Sequence, residues 1–302
     1  MDWNDLRYLL AVHRQGSLAR GAAALGVTKA TASRRLAALE EALGARVFDR
    51  TREGLALTEE GRKVLVTAEE MERAAGDLAS RVGAASEGSV RGTVRLTAPP
   101  WLAERLFIPE LGALKDRHPK LEVQLLGSNA LVDMTKREAD LALRNVRPTQ
   151  SSLVARKAGK LAGRIYASRL YLERRGSPAS REEVLAHDLL AYGGLGGMPG
   201  FEWLASPPFA GRIVFRANDP MGLCSAAAAG LGLAGIPCIL GDEEPDLVRV
   251  EALGAGVTEM FLVMPEQLRE SPPVRAVATF VTDVMRARAS YLLGEGRGEV
   301  PA

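Results

Sequence analysis

The apolar positions near the start of the chain recur mostly at helical spacing: Leu6, Leu9, Leu10 and Val12 predict a helix from Asp5 to Gln15, which Gly16 stops. Ser17 suits the cap of a second, short helix over Leu18–Leu25, whose Ala22, Ala23 and Ala24 allow close packing before Gly26 breaks it. Thr28 suits the cap of a third, with Ala32, Leu36, Leu39 and Leu43 on one face and Gly44 at its end. Two helices across a tight Gly-containing turn are the signature of a helix-turn-helix. Val47 and Phe48, then Leu55 and Leu57, flank a polar tip of Arg50, Thr51, Arg52, Glu53 and Gly54, which predicts a β-hairpin wing. Thr58, Glu59 and Glu60 then suit the start of a helix that no proline interrupts as far as about Ala85.

That long helix carries Val64, Leu65, Ala68, Met71, Ala74, Ala75, Leu78 and Val82 in a stripe close to heptad spacing. The stripe predicts pairing with a second copy, the alternative being a helix packed on its own domain. Glu87, Gly88, Ser89 and Gly92 read as a flexible exit. Beyond residue 90 strand-like and helix-like segments alternate: Thr93–Thr97, a helix from Trp101 that Pro109 should kink, Leu121–Leu126, a helix near Leu131–Arg137, and Asp140–Arg144. A second alternation runs through Gly163–Tyr166, Leu189–Tyr192, Arg212–Phe215, Gly232–Ile239 and Leu247–Val250, and the chain returns with Glu259–Met264 and a helix from Pro273 to about Leu292. This order predicts a parallel sheet covered by helices, in two lobes with chain crossings between them, similar to the periplasmic-binding-protein type of fold. The tail after Gly294 reads as disordered.

The net charge is only +2, but residues 1–63 hold 11 Lys and Arg against 8 Asp and Glu. Position says more than the sum. Opposite its apolar stripe the third helix presents Lys29, Thr31, Ser33, Arg34 and Arg35 with the small Ala30, a surface suited to a groove of double-stranded DNA and to the phosphates beside it. Arg50 and Arg52 at the hairpin tip suit a minor groove or adjacent phosphates, the alternative being an exposed turn.

Other chemistries find little support. Cys224 and Cys238 have no disulfide or zinc spacing and read as buried thiols, and His13, His118 and His187 are scattered without metal-ligand spacing, so neither metal nor cofactor is expected. Gly230 to Gly235 fits a dinucleotide-binding pattern, yet an alanine-rich helix leads in and a strand leads out, the reverse of what that pattern needs. No signal peptide opens the chain, and the longest apolar run, Ala226–Leu240, is short of a membrane span, so a cytoplasmic protein with no membrane partner is expected.

The run from Asp5 to Arg62 resembles the DNA-binding domain of LysR-type transcription regulators almost position for position. Where members carry Ser-Gln-Pro at the start of the recognition helix, this chain has Thr28, Lys29 and Ala30; Ser33 with Arg34, and Leu39-Glu40-Glu41-Ala42-Leu43-Gly44, follow the family pattern. The departures at Lys29 and Ala30 fall where the family reads bases, so the operator sequence is not inherited from relatives. Ser151–Gly159, Arg164–Gly176 and Ala229–Pro237 resemble the family's effector domain, extending the likeness essentially end to end. The resemblance implies a winged helix-turn-helix over residues 1–58, a dimerising linker helix over 59–89, and an effector domain over 90–302 with lobe I near 90–162 and 265–293 and lobe II near 163–264. It also implies a homodimer or homotetramer on an imperfect inverted repeat, a small-molecule effector, and RNA polymerase as a further partner.

Open α/β lobes bind ligands beyond the carboxyl ends of their strands. The candidate effector residues are accordingly Thr97, Pro99, Pro100, Trp101, Ser128, Arg144, Asn145, Asn218, Asp219, Met221 and Ile236. Trp101 stands where many relatives have a small or hydroxyl residue; its indole either offers a stacking face to a planar or apolar effector, in place of a simple carboxylate, or plugs the lobe. An enzyme would need a nucleophile with a base and an orienting partner, a set these residues do not supply. A constitutive DNA-binding protein whose lobes have lost their ligand is the third alternative.

Overall fold

The computed structural model describes residues 2–51, 54–87, 90–127, 139–193 and 200–295. The chain divides into two compact units, Met1–Glu87 and Gly88–Ala302. The first holds α1 (Trp3–Gln15), α2 (Leu18–Ala24), α3 (Lys29–Leu43), the hairpin strands β1 (Phe48–Thr51) and β2 (Gly54–Leu57), and α4 (Glu59–Glu87). Each of the first three helices starts at a side-chain cap: Asp2 accepts from the Asn4 N–H, Ser17 from Arg20 and Thr28 from Thr31. Gly16 and Gly44, both at φ 66°, end α1 and α3 in the left-handed conformation that glycine adopts without strain.

Leu6, Leu9, Leu10, Ala32, Leu36, Leu39, Val47 and Phe48 close the core of this unit. Leu43 does not join it and stays 37% exposed. The stripe on α4 is also divided: Ala68 is fully buried in this same core and Val64 and Leu65 pack against it, because the first turns of α4 lie on α1 and the hairpin. At Gly61 a β-carbon would stand 2.1 Å from the Val47 carbonyl oxygen, so glycine there lets the helix start pass over the hairpin base. Met71, Ala74 and Ala75, further along, are exposed, whereas the side chains of Leu78 and Val82 lie outside the described residues.

In the second unit the strands are β3 (Arg91–Ala98), β4 (Lys120–Gly127), β5 (Leu141–Arg144), β6 (Leu153–Ser168), β7 (Leu189–Tyr192), β8 (Ile213–Ala217), β9 (Leu233–Pro237), β10 (Leu247–Arg249) and β11 (Ala255–Pro265). Its helices are α5 (Pro100–Leu102), α6 (Leu111–Arg117), α7 (Arg169–Arg175), α8 (Pro220–Ala228), α9 (Cys238–Gly241), α10 (Pro272–Ala287) and α11 (Ala289–Leu292). Gly230 to Gly235 indeed joins a helix to a following strand, α8 to β9.

The sheet is mixed, not parallel as the alternation implies. Its order is β4-β3-β5-β11-β6-β9-β7-β8, with β10 beside β6. Parallel triplets at either end, β4-β3-β5 and β9-β7-β8, are the sheets of the two lobes. Antiparallel β11 and β6 join them. The strand expected at Gly163–Tyr166 is the end of this 16-residue β6, whose first half is hidden from pattern reading by the charged Arg156, Lys157 and Lys160 and by a register shift of the partner at Met260/Phe261. Around Pro109 the helix does not simply kink. It passes through a π turn, Ala103–Phe107, closed by the Ile108 N–H on the Ala103 carbonyl, then a 3-10 turn over Ile108–Glu110 before α6 resumes, as fits a residue with no N–H to donate. The helix expected near Leu131–Arg137, and the tail from residue 296, lie outside the described residues.

One histidine of the second unit couples its stability to pH. His187 is 4% exposed, and its Nδ1 is buried with no hydrogen-bond partner among the described residues. Burial, then the Arg175 charge, lowers its pKa, with Arg212 adding and Asp188 opposing. A histidine depressed in the folded state favours folding fully above its unfolded pKa of about 6.5, and that contribution is lost as pH falls through the folded value. The urea midpoint of the wild-type chain should therefore fall on acidification below about pH 6.5. His187→Gln should fall less steeply, the rest including His118, whose pKa burial also lowers; identical slopes would refute the assignment.

Candidate nucleic-acid interface and ligand crevice

The Thr28 hydroxyl accepts from the Thr31 N–H at 3.2 Å and lies 2.9 Å from the Thr31 hydroxyl, which fixes the first turn of α3. On that turn and the next, Thr28, Lys29, Ala30, Ser33 and Arg34 are exposed and Thr31 is half-buried, while Ala32 and Leu36 turn inward. Lys29 and Arg34 make no ion pair with the described residues. Arg35 is placed differently. Its Nη1 reaches Asp2 and the buried Asp5, each at 3.2 Å, so this guanidinium ties α3 to the start of α1, and the Asp5 charge raises its pKa further.

The hairpin pairs Phe48 with Leu57 and Arg50 with Leu55, which puts Arg50 next to the tip; its side chain, and Arg52 altogether, lie outside the described residues. Two bracing contacts escape sequence reading. Glu40 Oε1 accepts from the Val47 N–H at 2.9 Å, holding the hairpin to α3, and Arg14 grips both oxygens of Glu72, holding α1 to α4. Partners 58 positions apart leave no local signal.

At the carboxyl ends of β3 and β5, Thr97 and Arg144 come together. Arg144 donates from Nη1 to the Leu143 carbonyl at 2.9 Å and the Thr97 carbonyl at 3.4 Å, and from Nη2 to the Thr97 hydroxyl at 3.0 Å. All three acceptors are neutral, and desolvation lowers the pKa of the guanidinium. Pro99 and Pro100 open α5, and Asn145 is exposed after β5. Ser128 lies outside the described residues.

Two candidates are buried and a third caps a helix. Trp101 is only 7% exposed and belongs to the main core, so its face serves packing and not stacking on a ligand. Ile236 is fully buried in the same core, because β9 is an interior strand between β6 and β7. Asp219 caps α8, accepting from the Gly222 N–H at 3.0 Å, so the acid occupies the helix end where an anion would otherwise be favoured. Asn218 and Met221 remain exposed beside it. Tyr192, at the carboxyl end of β7, was not among the expected residues; burial, then the Asp219 charge, raises its pKa. A groove of about 560 Å³ lies apart from these strand ends, between α6 and α10, with Leu114, Phe280 and Val284 among its walls. Among the described residues no helix is long and apolar enough to cross a membrane.

Comparison with known proteins assigns both units. Residues 3–62 match the bacterial regulatory helix-turn-helix of the lysR family, and residues 87–286 match the LysR substrate binding domain. The chain belongs to the LysR family. An HTH-type transcriptional regulator of Xanthomonas campestris pv. campestris is 31% identical, with 97% of this chain and 88% of that protein aligned. The fold is shared with CrgA, a LysR-type regulator from Neisseria meningitidis, at 24% identity and a TM-score of 0.55 over 94% of this chain and 98% of that one. It is shared too with full-length CbnR, solved with its target DNA, at 21% identity and a TM-score of 0.61 over 95% of this chain and all of that one. This LysR-family chain is thus a DNA-binding transcriptional regulator with an effector-binding domain.

The buried position of Trp101 makes a prediction. Trp101→Ala should destabilise the second unit by roughly 3 to 5 kcal/mol, as removal of a buried aromatic side chain does, with Trp101→Phe much milder. Thermal unfolding followed by near-ultraviolet circular dichroism reports it; an unchanged midpoint for Trp101→Ala would refute the packing role.

Proposed function

We propose that this LysR-family regulator acts in the cytoplasm as a homodimer or homotetramer on an inverted-repeat site near a promoter, in contact with RNA polymerase, and answers to a small molecule bound between its two lobes. The domains are residues 1–58 for DNA, 59–89 for dimerisation and 90–302 for the effector. The observation that carries the reading is the exposed first half of α3, where Lys29 and Arg34 stand without counter-charges among the described residues, beside the hydroxyls of Thr28, Thr31 and Ser33. Cations for phosphates next to small polar groups for base edges are what a recognition helix needs in a major groove. Arg50 and Arg52 contribute from the hairpin, and Arg35 supports the helix from behind. In the effector domain we assign Pro99, Pro100, Arg144, Asn145, Asn218 and Met221 to the crevice, with Tyr192 joining them; Thr97 is fully buried and holds Arg144 from behind, and Ser128 lies outside the described residues.

Support for dimerisation comes from α4. Its early apolar residues are used inside the first unit, yet Val66 is 51% and Met71 36% exposed on a 29-residue helix. Apolar side chains on an exposed helix gain by packing against a second copy, and two copies set two recognition helices on two half-sites. Met71→Glu should shift the protein to lower mass in sedimentation velocity; an unchanged distribution would move the interface elsewhere.

The functional test is a titration of the purified protein against its own upstream intergenic DNA, beside unrelated DNA of equal length, at two salt concentrations. Binding should be preferential and should weaken with salt. Lys29→Ala and Arg34→Ala should weaken binding to both DNAs and reduce the salt slope by about 1 each where the residue meets a phosphate, and relax sequence preference where it meets a base. Equal affinity for both DNAs, here and across genomic fragments, would refute the reading.

A further inference from the structure

We propose that the groove between α6 and α10 is a second ligand site, separate from the crevice between the lobes, and that it takes an amphipathic anion, a single carboxylate on an apolar chain. Its walls are apolar along most of their length. Leu114 on α6 and Ala276, Phe280 and Val284 on α10 line it, with Val90 just before β3. Leu114 and Val284 are buried by the core behind them, whereas Ala276 and Phe280 are half-buried and keep apolar surface in the groove. The buried Phe107 braces Phe280, with ring centroids 6.4 Å apart. Hydrocarbon laid on such a held wall gains from leaving water and orders little protein in return.

Size selects a small molecule. About 560 Å³ falls in the range of sites for small organic ligands. The α6 wall is seven residues long, about 10 Å of helix, so a docked protein segment would meet only about two turns. That is well short of the roughly 800 Å² that each partner gives to a stable protein interface. A second copy of the chain is thus the poorer occupant.

Charge selects an anion. Arg288 and Glu110 close one end as an ion pair at 2.8 Å, and Arg286 holds Asp283 at 3.2 Å, so both acids of the lining are neutralised. From that end α6 runs on to Arg117, and α10 traces back to Arg275 and Pro272. Arg117 is exposed, and no acid among the described residues stands within ion-pair distance of it. Arg275 meets only Glu270, at 3.6 Å, which Arg269 also contacts. No side chain caps α10 and its first turn holds no acid, so the positive end of this 16-residue helix adds to the two guanidinium groups. The start of α8, taken by Asp219, is the contrast. His118 adds no charge, because its Nδ1 accepts from the Val90 N–H at 3.3 Å. A ligand in the groove therefore lies against the Val90–His118 contact, where the chain enters the second unit after α4.

The experiment is a calorimetric titration of the full-length protein with octanoate, beside 1-octanol, which keeps the chain and lacks the charge, and acetate, which keeps the charge and lacks the chain. Variants are Ala113→Trp, at an exposed α6 position lining the groove, Arg117→Gln beside it, and Arg144→Gln in the crevice. Wild type should bind octanoate, 1-octanol more weakly, and acetate not at all. Ala113→Trp should abolish octanoate binding with its thermal midpoint unchanged. Arg117→Gln should weaken octanoate roughly threefold to fivefold, the scale of an exposed ion pair, and leave 1-octanol as it was. No binding of octanoate, equal affinity for 1-octanol, acetate bound as tightly as octanoate, or an undiminished response in Ala113→Trp each overturns the proposal. Octanoate binding lost in Arg144→Gln and kept in Ala113→Trp would place the ligand in the crevice. A lower mass of Ala113→Trp in sedimentation velocity would give the groove to a second copy of the chain, and the proposal would fall.

Discussion

The antiparallel ladder between β6 and β11 is the interaction on which the second unit depends. Eleven residue pairs, from Ala255 with Arg164 to Pro265 with Leu153, run along it. On its far side β11 continues into the first lobe through β5, and β6 continues into the second through β9 and β10. The main core takes residues from both lobes, Leu96 and Leu143 with Leu190 and Ala234, while a further cluster around Ile165, Tyr171 and Phe201 belongs to the second lobe alone. Two chain passages through one ladder let the lobes share a core while their strand ends stay open. On the other edge of β11, Phe261 pairs with Arg144 of β5.

The first unit is organised around a different constraint, the need to present one helix end while burying the rest. Asp2, Ser17 and Thr28 start the three helices, and Gly16 and Gly44 end two of them, so little conformational freedom is left in the turns. Longer links then lock the helices together: Arg35 to Asp5, Glu40 to the hairpin, Arg14 to Glu72. The exposed pair Arg14 with Glu72 adds little stability by itself, so its consequence is geometric. The hairpin and the start of α4 hold fixed positions relative to α3, which is what reading a DNA groove requires.

Charge is handled in opposite ways in the two units. On α3 Lys29 and Arg34 remain in water, where an unpaired cation costs nothing and phosphate is the complement. Arg144 is half-withdrawn and bonded to the neutral oxygens of Thr97 and Leu143, with no acid within ion-pair distance among the described residues. Asp219 shows the contrast from the acidic side: it caps α8 and so closes that helix end to anions.

The sequence by itself determined the elements of the first unit, because caps, glycines and helical periodicity are local signals: Thr28 to Gly44 could be read within a residue or two. Family motifs carried the rest of that reading, and the family comparison bears out both the recognition and the two-part fold. Tertiary structure alone decided which side chains are available. Trp101 and Ile236 stand at strand and helix ends that a ligand would approach, yet both are buried, because burial depends on what packs from distant parts of the chain. The mixed direction of the sheet was equally hidden, since the charged first half of β6 carries no strand pattern and gains its place only by pairing with residues about a hundred positions away. The same holds for Arg144: sequence put it at a strand end, and only the fold brought its guanidinium onto the neutral oxygens of Thr97 and Leu143.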